Sequence, residues 1–278
     1  MNQTFSIARF GRLVRNYLID NRGQLLTNIS LLLGGFVVLS VFVYSGLPRD
    51  ASDWRYPLFF VLGWACWYVF TVQQTTQLNQ KERAITYLLK PASQVEKMAL
   101  IWLISGLGFI IVFLSIFSFF DAIGVWFVNH RDWSSEQLER IRLRGSPLKI
   151  VSFFDETFMR DVPTILWVFT ALLHSFTLAF ALLIRRHTLS MVVIIAFALI
   201  VFGFLANNFF FHALTGAKGP SIMTPFGSAM VESPVKDYQY RTINLPQPLG
   251  SQLRYIVGIT VIVLLYITAY VRLKEREV

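Results

Sequence analysis

The side chains able to carry catalysis are few and scattered. Histidine occurs at His130, His174, His187 and His212, and cysteine once, at Cys66. An HExxH frame would hold zinc, paired CxxC thiols would hold zinc or exchange electrons, and a GxxxxGK[ST] loop would cradle the phosphates of ATP. None of the three patterns occurs. One cysteine makes no internal disulfide, so it does not report the redox compartment. His174 is the one histidine within a long apolar run, where an imidazole most often bonds to a neighbouring helix. The expectation is a chain without catalytic, cofactor-binding or metal-ligating residues.

One segment carries a different kind of chemistry. Residues 79–97 read NQKERAITYLLKPASQVEK. Residues 82–89 suit a helix, which Pro91 ends at about Lys90. Ser93 and Glu96 then form an S-x-x-E capping box, a natural start for the next helix. Tyr87, Leu88 and Leu89 leave apolar side chains at the tip of a charged segment. Such a tip either dips back into the bilayer interface or fills a groove in a soluble partner.

The elements on either side of it are long and apolar. Runs at 25–46, 57–72, 98–120, 163–184, 188–211 and 255–271 approach the roughly 20 residues that cross a bilayer as a helix. None holds Asp, Glu, Lys or Arg. Only 15% of the 278 residues are charged and 55% are hydrophobic, with a mean hydropathy of +0.54. A soluble domain carries about 25% charged residues, so the deficit points to a chain solvated by lipid. The net charge of +9 is spread along the flanks of the apolar runs, which argues against a nucleic-acid surface. No cleavable signal peptide is expected, and the first run reads as a retained anchor. An uncharged membrane path disfavours a proton-driven pump.

The first 24 residues form a unit of their own. Ile7, Phe10, Leu13, Val14, Tyr17 and Leu18 follow the i, i+3, i+4, i+7 rhythm, while Arg9, Arg12, Arg15 and Asn16 lie opposite. Directly before a span, this predicts an interfacial helix with Arg9, Phe10, Arg12, Leu13, Arg15 and Tyr17 at the membrane surface, its arginines toward anionic lipids. Short basic loops such as Arg185-Arg186-His187 place both termini in the cytoplasm, although the raw count of Lys and Arg is nearly even on the two sides. The fold class is therefore an all-α integral membrane protein: an interfacial helix in 1–24, then a six-helix domain in 25–278.

Two stretches fall outside, at 121–162 and 212–252. Ser134-Ser135-Glu136-Gln137 predicts a helix start, and Gly145-Ser146-Pro147 its end. The second stretch is rich in proline, with Pro220, Pro225, Pro234, Pro246 and Pro248. Gly34, Gly35, Gly63, Gly106 and Gly108 allow close helix approach. Most tryptophans stand near span ends, as an aromatic belt requires.

This layout resembles the membrane subunit of a type-2 ATP-binding-cassette exporter. KERAITYLLKPASQVEK at 81–97, with TPFGSAMVE at 224–232, resembles a permease-like family of Bacteroidota. The resemblance implies that 1–24 is an elbow helix. It also implies that 79–97 is a coupling segment, with Glu82, Arg83, Tyr87, Leu88 and Leu89 docking on a cytosolic ATPase. ATP and Mg would then belong to that partner. It further implies a second permease copy or paralogue, and short re-entrant helices within 207–252. The 121–162 loop is longer than the family pattern, which leaves room for an added extracellular role. The implied function is export of a hydrophobic or amphipathic substrate from the bacterial cytoplasmic membrane. The alternative is a membrane-embedded scaffold or sensor that reads an extracytoplasmic signal. An intramembrane lipid-modifying enzyme is disfavoured, because Asn, Gln and His are scattered in depth.

Overall fold

The computed structural model describes residues 5–76, 92–160, 162–215, 222–223, 228–232, 240–244 and 248–275. Helix α1 (Ile7–Asp20) is followed by α2 (Arg22–Ser45) and α3 (Pro48–Thr76). The third apolar run lies in one helical stretch: α4 (Gln94–Trp102), a π-helical turn (Leu103–Gly108) and α5 (Phe109–His130). Helices α6 (Ser135–Leu143) and α7 (Glu156–Met159) precede α8 (Thr164–Leu183), α9 (Thr188–Thr215) and α10 (Leu249–Glu275). Six of these stretches are long and apolar enough to cross a membrane, and the chain is a multi-pass membrane protein.

Local sequence accounts for several boundaries. The Ser93 hydroxyl accepts from the Glu96 amide while the Glu96 carboxylate accepts from the Ser93 amide, closing the expected capping box on α4. Ser134 and Gln137 do the same for α6. That helix ends on Gly145, at φ +59, a left-handed conformation that glycine adopts without a Cβ penalty. Two helices overrun their apolar runs the furthest. α3 begins nine residues before Pro57, and α5 continues past Asp121 to His130. Polar residues stay helical there because the segment that follows α5 folds back and packs against them.

That packing is aromatic at its centre. Phe36 from α2, Phe59 and Phe60 from α3, and Phe113 and Phe117 from α5 are buried together, and Phe153 from the returning segment completes the cluster. The Phe153 ring lies 4.7 Å from that of Phe59 and 4.9 Å from that of Phe117. Close approach is set by glycine at Gly63, where a Cβ would come within 2.9 Å of the Phe113 ring, and at Gly124, where it would overlap the Tyr44 ring. Gly34 and Gly35, expected at a helix contact, face open space. A second cluster joins Ile101, Leu178, Leu182, Ala269 and Leu273 between α4, α8 and α10. Most of the side chains described on α9 remain exposed.

The stretch after α5 is a cap tied to the helix ends. The Asn129 side chain donates to the Ile150 carbonyl and accepts from the Ile150 amide, each at 2.9 Å. Arg144 pairs with Asp50 at 3.0 Å. Beneath it, Arg55 and Asp121 form an ion pair at 3.3 Å with both side chains almost fully buried. Asp121 also accepts from the Tyr44 hydroxyl at 2.7 Å and from the Phe153 amide at 2.8 Å, and Arg55 donates to the Val151 carbonyl at 2.7 Å.

Between α9 and α10 the expected re-entrant helices are not what the described residues form. α9 continues to Thr215, and β1 (Ile222–Met223), β2 (Ser228–Glu232) and β3 (Tyr240–Asn244) pair antiparallel in the order β1-β2-β3. Ser228 stands opposite Asn244 and Glu232 opposite Tyr240. The short lengths and β-branched residues of these segments suit a meander. This small sheet is the one departure from an all-α architecture among the described residues.

The π-helical turn marks a polar node within the helices. His174 bonds Ser105 Oγ at 3.1 Å through Nε2 and the Tyr266 hydroxyl at 2.8 Å through Nδ1. Trp67 donates to the Ser105 carbonyl at 2.5 Å and stacks on His174. His174 thus acts as the expected bond between helices. Ser105 is fully buried and spends its hydroxyl on the Ile101 carbonyl, so the pair offers no accessible nucleophile.

Candidate functional site

The end of the bundle that carries α1 also carries both ends of residues 77–91. Helix α3 stops at Thr76 and α4 starts at Gln94, and α1 is fastened to both. The Glu96 side chain is fully buried, and one of its oxygens accepts from the Ser6 amide at 2.6 Å and from the Arg9 guanidinium at 2.9 Å. The other oxygen closes the cap on Ser93 at 2.9 Å. One carboxylate therefore starts α4 and holds the start of α1. Further along, the Tyr17 hydroxyl donates to Gln74 Oε1, which joins α1 to the last turn of α3. Leu13, Tyr17 and Leu100 form a buried cluster with Phe10, Val14 and Ile104 against it. Burial pushes the Tyr17 phenol up to about 12, so it remains a neutral donor at any ordinary pH.

The residues expected at the membrane surface divide in this structure. Arg12 and Arg15 are exposed. Arg9 turns inward to Glu96, and Leu13 and Tyr17 are spent on protein contacts rather than on an acyl boundary. The apolar stripe on α1 was legible in the sequence, but its occupant was not, since lipid and protein present the same apolar surface to it. The sequence shows Glu96 only as a cap, because its bond to Arg9 spans 87 positions of chain. The docking residues Glu82, Arg83, Tyr87, Leu88 and Leu89 lie outside the described residues.

Reasoning from apolar runs missed the Arg55–Asp121 pair, although a signal was present. Arg55 stands just before the second run and Asp121 just after the third. Successive spans run in opposite directions, so those two ends share one side of the membrane. Opposite charges placed that way are candidates for a pair.

Beside the α1 hub lies a cavity of about 470 Å³. Leu18 of α1, Leu25 and Leu32 of α2, Phe70 of α3 and Phe109 of α5 line it, with polar groups from Asn28, Cys66 and Gln73. Its size falls in the range of small-molecule sites. Among the described residues no group of His, Cys, Asp or Glu could hold a metal.

No family model, curated protein or solved structure matches this chain.

Proposed function

We propose that this chain is the membrane subunit of an ATP-binding-cassette exporter, powered by a separate cytosolic ATPase. The observation that carries the reading is the fastening of α1 to both helices that flank residues 77–91, through Glu96 and through Gln74. A segment pushed by a partner transmits motion only if its ends grip rigid elements. Here one end grips α3, the other α4, and α1 braces both. In this reading Glu82, Arg83, Tyr87, Leu88 and Leu89 meet the ATPase, the termini are cytoplasmic, and ATP and Mg stay with the partner. The largely exposed surfaces of α2 and α9 are available to a second copy or a paralogue. The substrate is hydrophobic or amphipathic, in keeping with the aromatic helix interior.

The test is purification of the tagged chain from its native membrane in mild detergent, with identification of what accompanies it. A stoichiometric ATPase, lost on Tyr87→Asp with Leu88→Asp, supports the proposal. A well-behaved preparation without an ATPase overturns it. The cap over α3 and α5, locked by Arg55 and Asp121, favours one other reading, a sensor of an extracytoplasmic signal. A co-purifying signalling protein in place of the ATPase would support that.

A further inference from the structure

The third span changes partners part-way along its length. Its first part, α4, packs on α8 and α10 through Ile101, Leu178, Leu182, Ala269 and Leu273. Its second part, α5, packs on α2, α3 and the cap through Phe36, Phe59, Phe113, Phe117 and Phe153. The two clusters share no residue. With α1 and α9 set aside, the helices sort into two bodies: α4 with α8 and α10, and α2 with α3, α5 and the cap. The bodies meet along α3 and α8, where Trp64 donates to the Thr170 hydroxyl at 3.0 Å and lies against the Phe169 ring.

The change falls at the π-helical turn, Leu103–Gly108. In an α-helix the Phe109 amide would donate to the Ser105 carbonyl, four residues back. Here it reaches the Gly106 and Ile104 carbonyls instead. The carbonyl it passes over accepts from the Trp67 indole at 2.5 Å. The Ser105 hydroxyl gives its proton to the Ile101 carbonyl at 2.7 Å. Its oxygen therefore accepts from His174 Nε2, and His174 Nδ1 accepts from the Tyr266 hydroxyl. One body holds the turn through Trp67 and the other through His174 and Tyr266. Side chains that take over freed backbone bonds make the turn a built break in the helix. Two further links lie on the side of α1. Residues 77–91 run from α3 to α4, and α1 reaches across in parallel, its start bonded to Glu96 of α4 and its later part to Gln74 of α3.

We propose that the π-helical turn is a hinge about which the two bodies rock, and that α1 is the strap that holds them closed on its own side. A hinge needs a few residues that absorb the rotation while the elements beside them stay rigid. The turn stands between two packed helices and draws its polar partners from both bodies. Sliding of α3 past α8 accompanies the rocking, as a shear of packed helices. The inference concerns the chain alone and does not rest on an ATPase: a push on residues 77–91 by any partner falls on the joint between the two bodies.

The test uses the full chain in nanodiscs, without a partner, in a Cys66→Ala background with paired nitroxide labels at exposed positions. Val69→Cys with Val271→Cys spans the two bodies. Val95→Cys with Ile259→Cys lies within one body, and Val69→Cys with Phe119→Cys within the other. Pulsed dipolar distances should be single and narrow within each body and should show a minor second population between them. Tyr17→Phe, which cuts the strap from α3, should raise that population about fivefold. Deletion of Leu107 removes the extra residue that widens the turn and should abolish the second population with either residue at position 17. A single distance between the bodies, as narrow as those within them and unmoved by Tyr17→Phe, would overturn the inference. So would a second population that survives deletion of Leu107, or one equally present within a body. If the deletion variant fails to fold, the distributions with Tyr17 and with Tyr17→Phe decide the question. A preparation that lacks an ATPase bears on the proposed function alone.

Discussion

Replacing Asp121 by leucine should detach the cap from the helix bundle. Its carboxylate lies 2% exposed and accepts from Arg55, Tyr44 and Phe153. Leucine fills similar space but leaves the buried Arg55 cation without its carboxylate partner and two buried donors without an acceptor. Removing one partner of a buried pair costs about 3–5 kcal/mol, and the orphaned donors fall within that figure rather than adding to it. At roughly 2–4 °C per kcal/mol for a chain of this size, the melting midpoint in mild detergent should drop by roughly 6–20 °C. The loss should begin in the cap, so trypsin should cut at Arg144 and Lys149 below the global transition. The double variant Arg55→Met with Asp121→Leu removes both charges and should recover most of the loss, because apolar replacement of a whole buried pair is often neutral. Tryptophan fluorescence on the wild type, both single variants and the double variant gives the coupling energy. A coupling below about 0.5 kcal/mol, or a single variant as stable and protease-resistant as the wild type, would refute the reasoning.

Three further outcomes are expected. Arg9→Ala leaves the buried Glu96 carboxylate without its cation and should raise hydrogen exchange across Ile7–Asp20; Arg9→Lys should restore part of the protection, and unchanged exchange would contradict the hub. The Tyr17 phenol ordinarily titrates at 10 and is raised to about 12 when α1 is docked, so the folded state holds the proton more tightly. Its contribution is complete below pH 10 and is lost as pH rises toward 12; Tyr17→Phe should remove this alkaline step from the exchange profile of α1. Gly124→Ala should destabilise the protein by about 1–3 kcal/mol through overlap with Tyr44, whereas Gly34→Ala and Gly35→Ala, which face open space, should leave thermal stability unchanged.

The elements themselves were legible in the chain. Apolar runs of bilayer length located six spans, because a helix in lipid must present hydrocarbon on nearly every face. Capping chemistry placed the starts of α4 and α6 at Ser93 and Ser134, since those bonds close within four residues. The same local logic failed where helices outran hydrocarbon. Arg55 and Asp121 sit in helices because a distant segment covers them, and hydropathy does not register that cover. The strands between α9 and α10 were missed because each is five residues or fewer, too short for a period to stand out from the prolines around it.

What the sequence alone determined is what depends on neighbours along the chain: span length, caps, the amphipathic stripe of α1, the single cysteine and the lack of zinc or phosphate-loop motifs. Tertiary structure decided which partner each polar group took. Glu96 serves Arg9 as well as its own cap, His174 joins Ser105 to Tyr266, Gly124 rather than Gly34 admits a ring, and the Asn28 amide nitrogen is buried without a partner. Each of these is a contact or a vacancy between residues far apart in the chain. Side-chain type limits what can bond there, but only the packing of the helices sets which groups come within 3 Å.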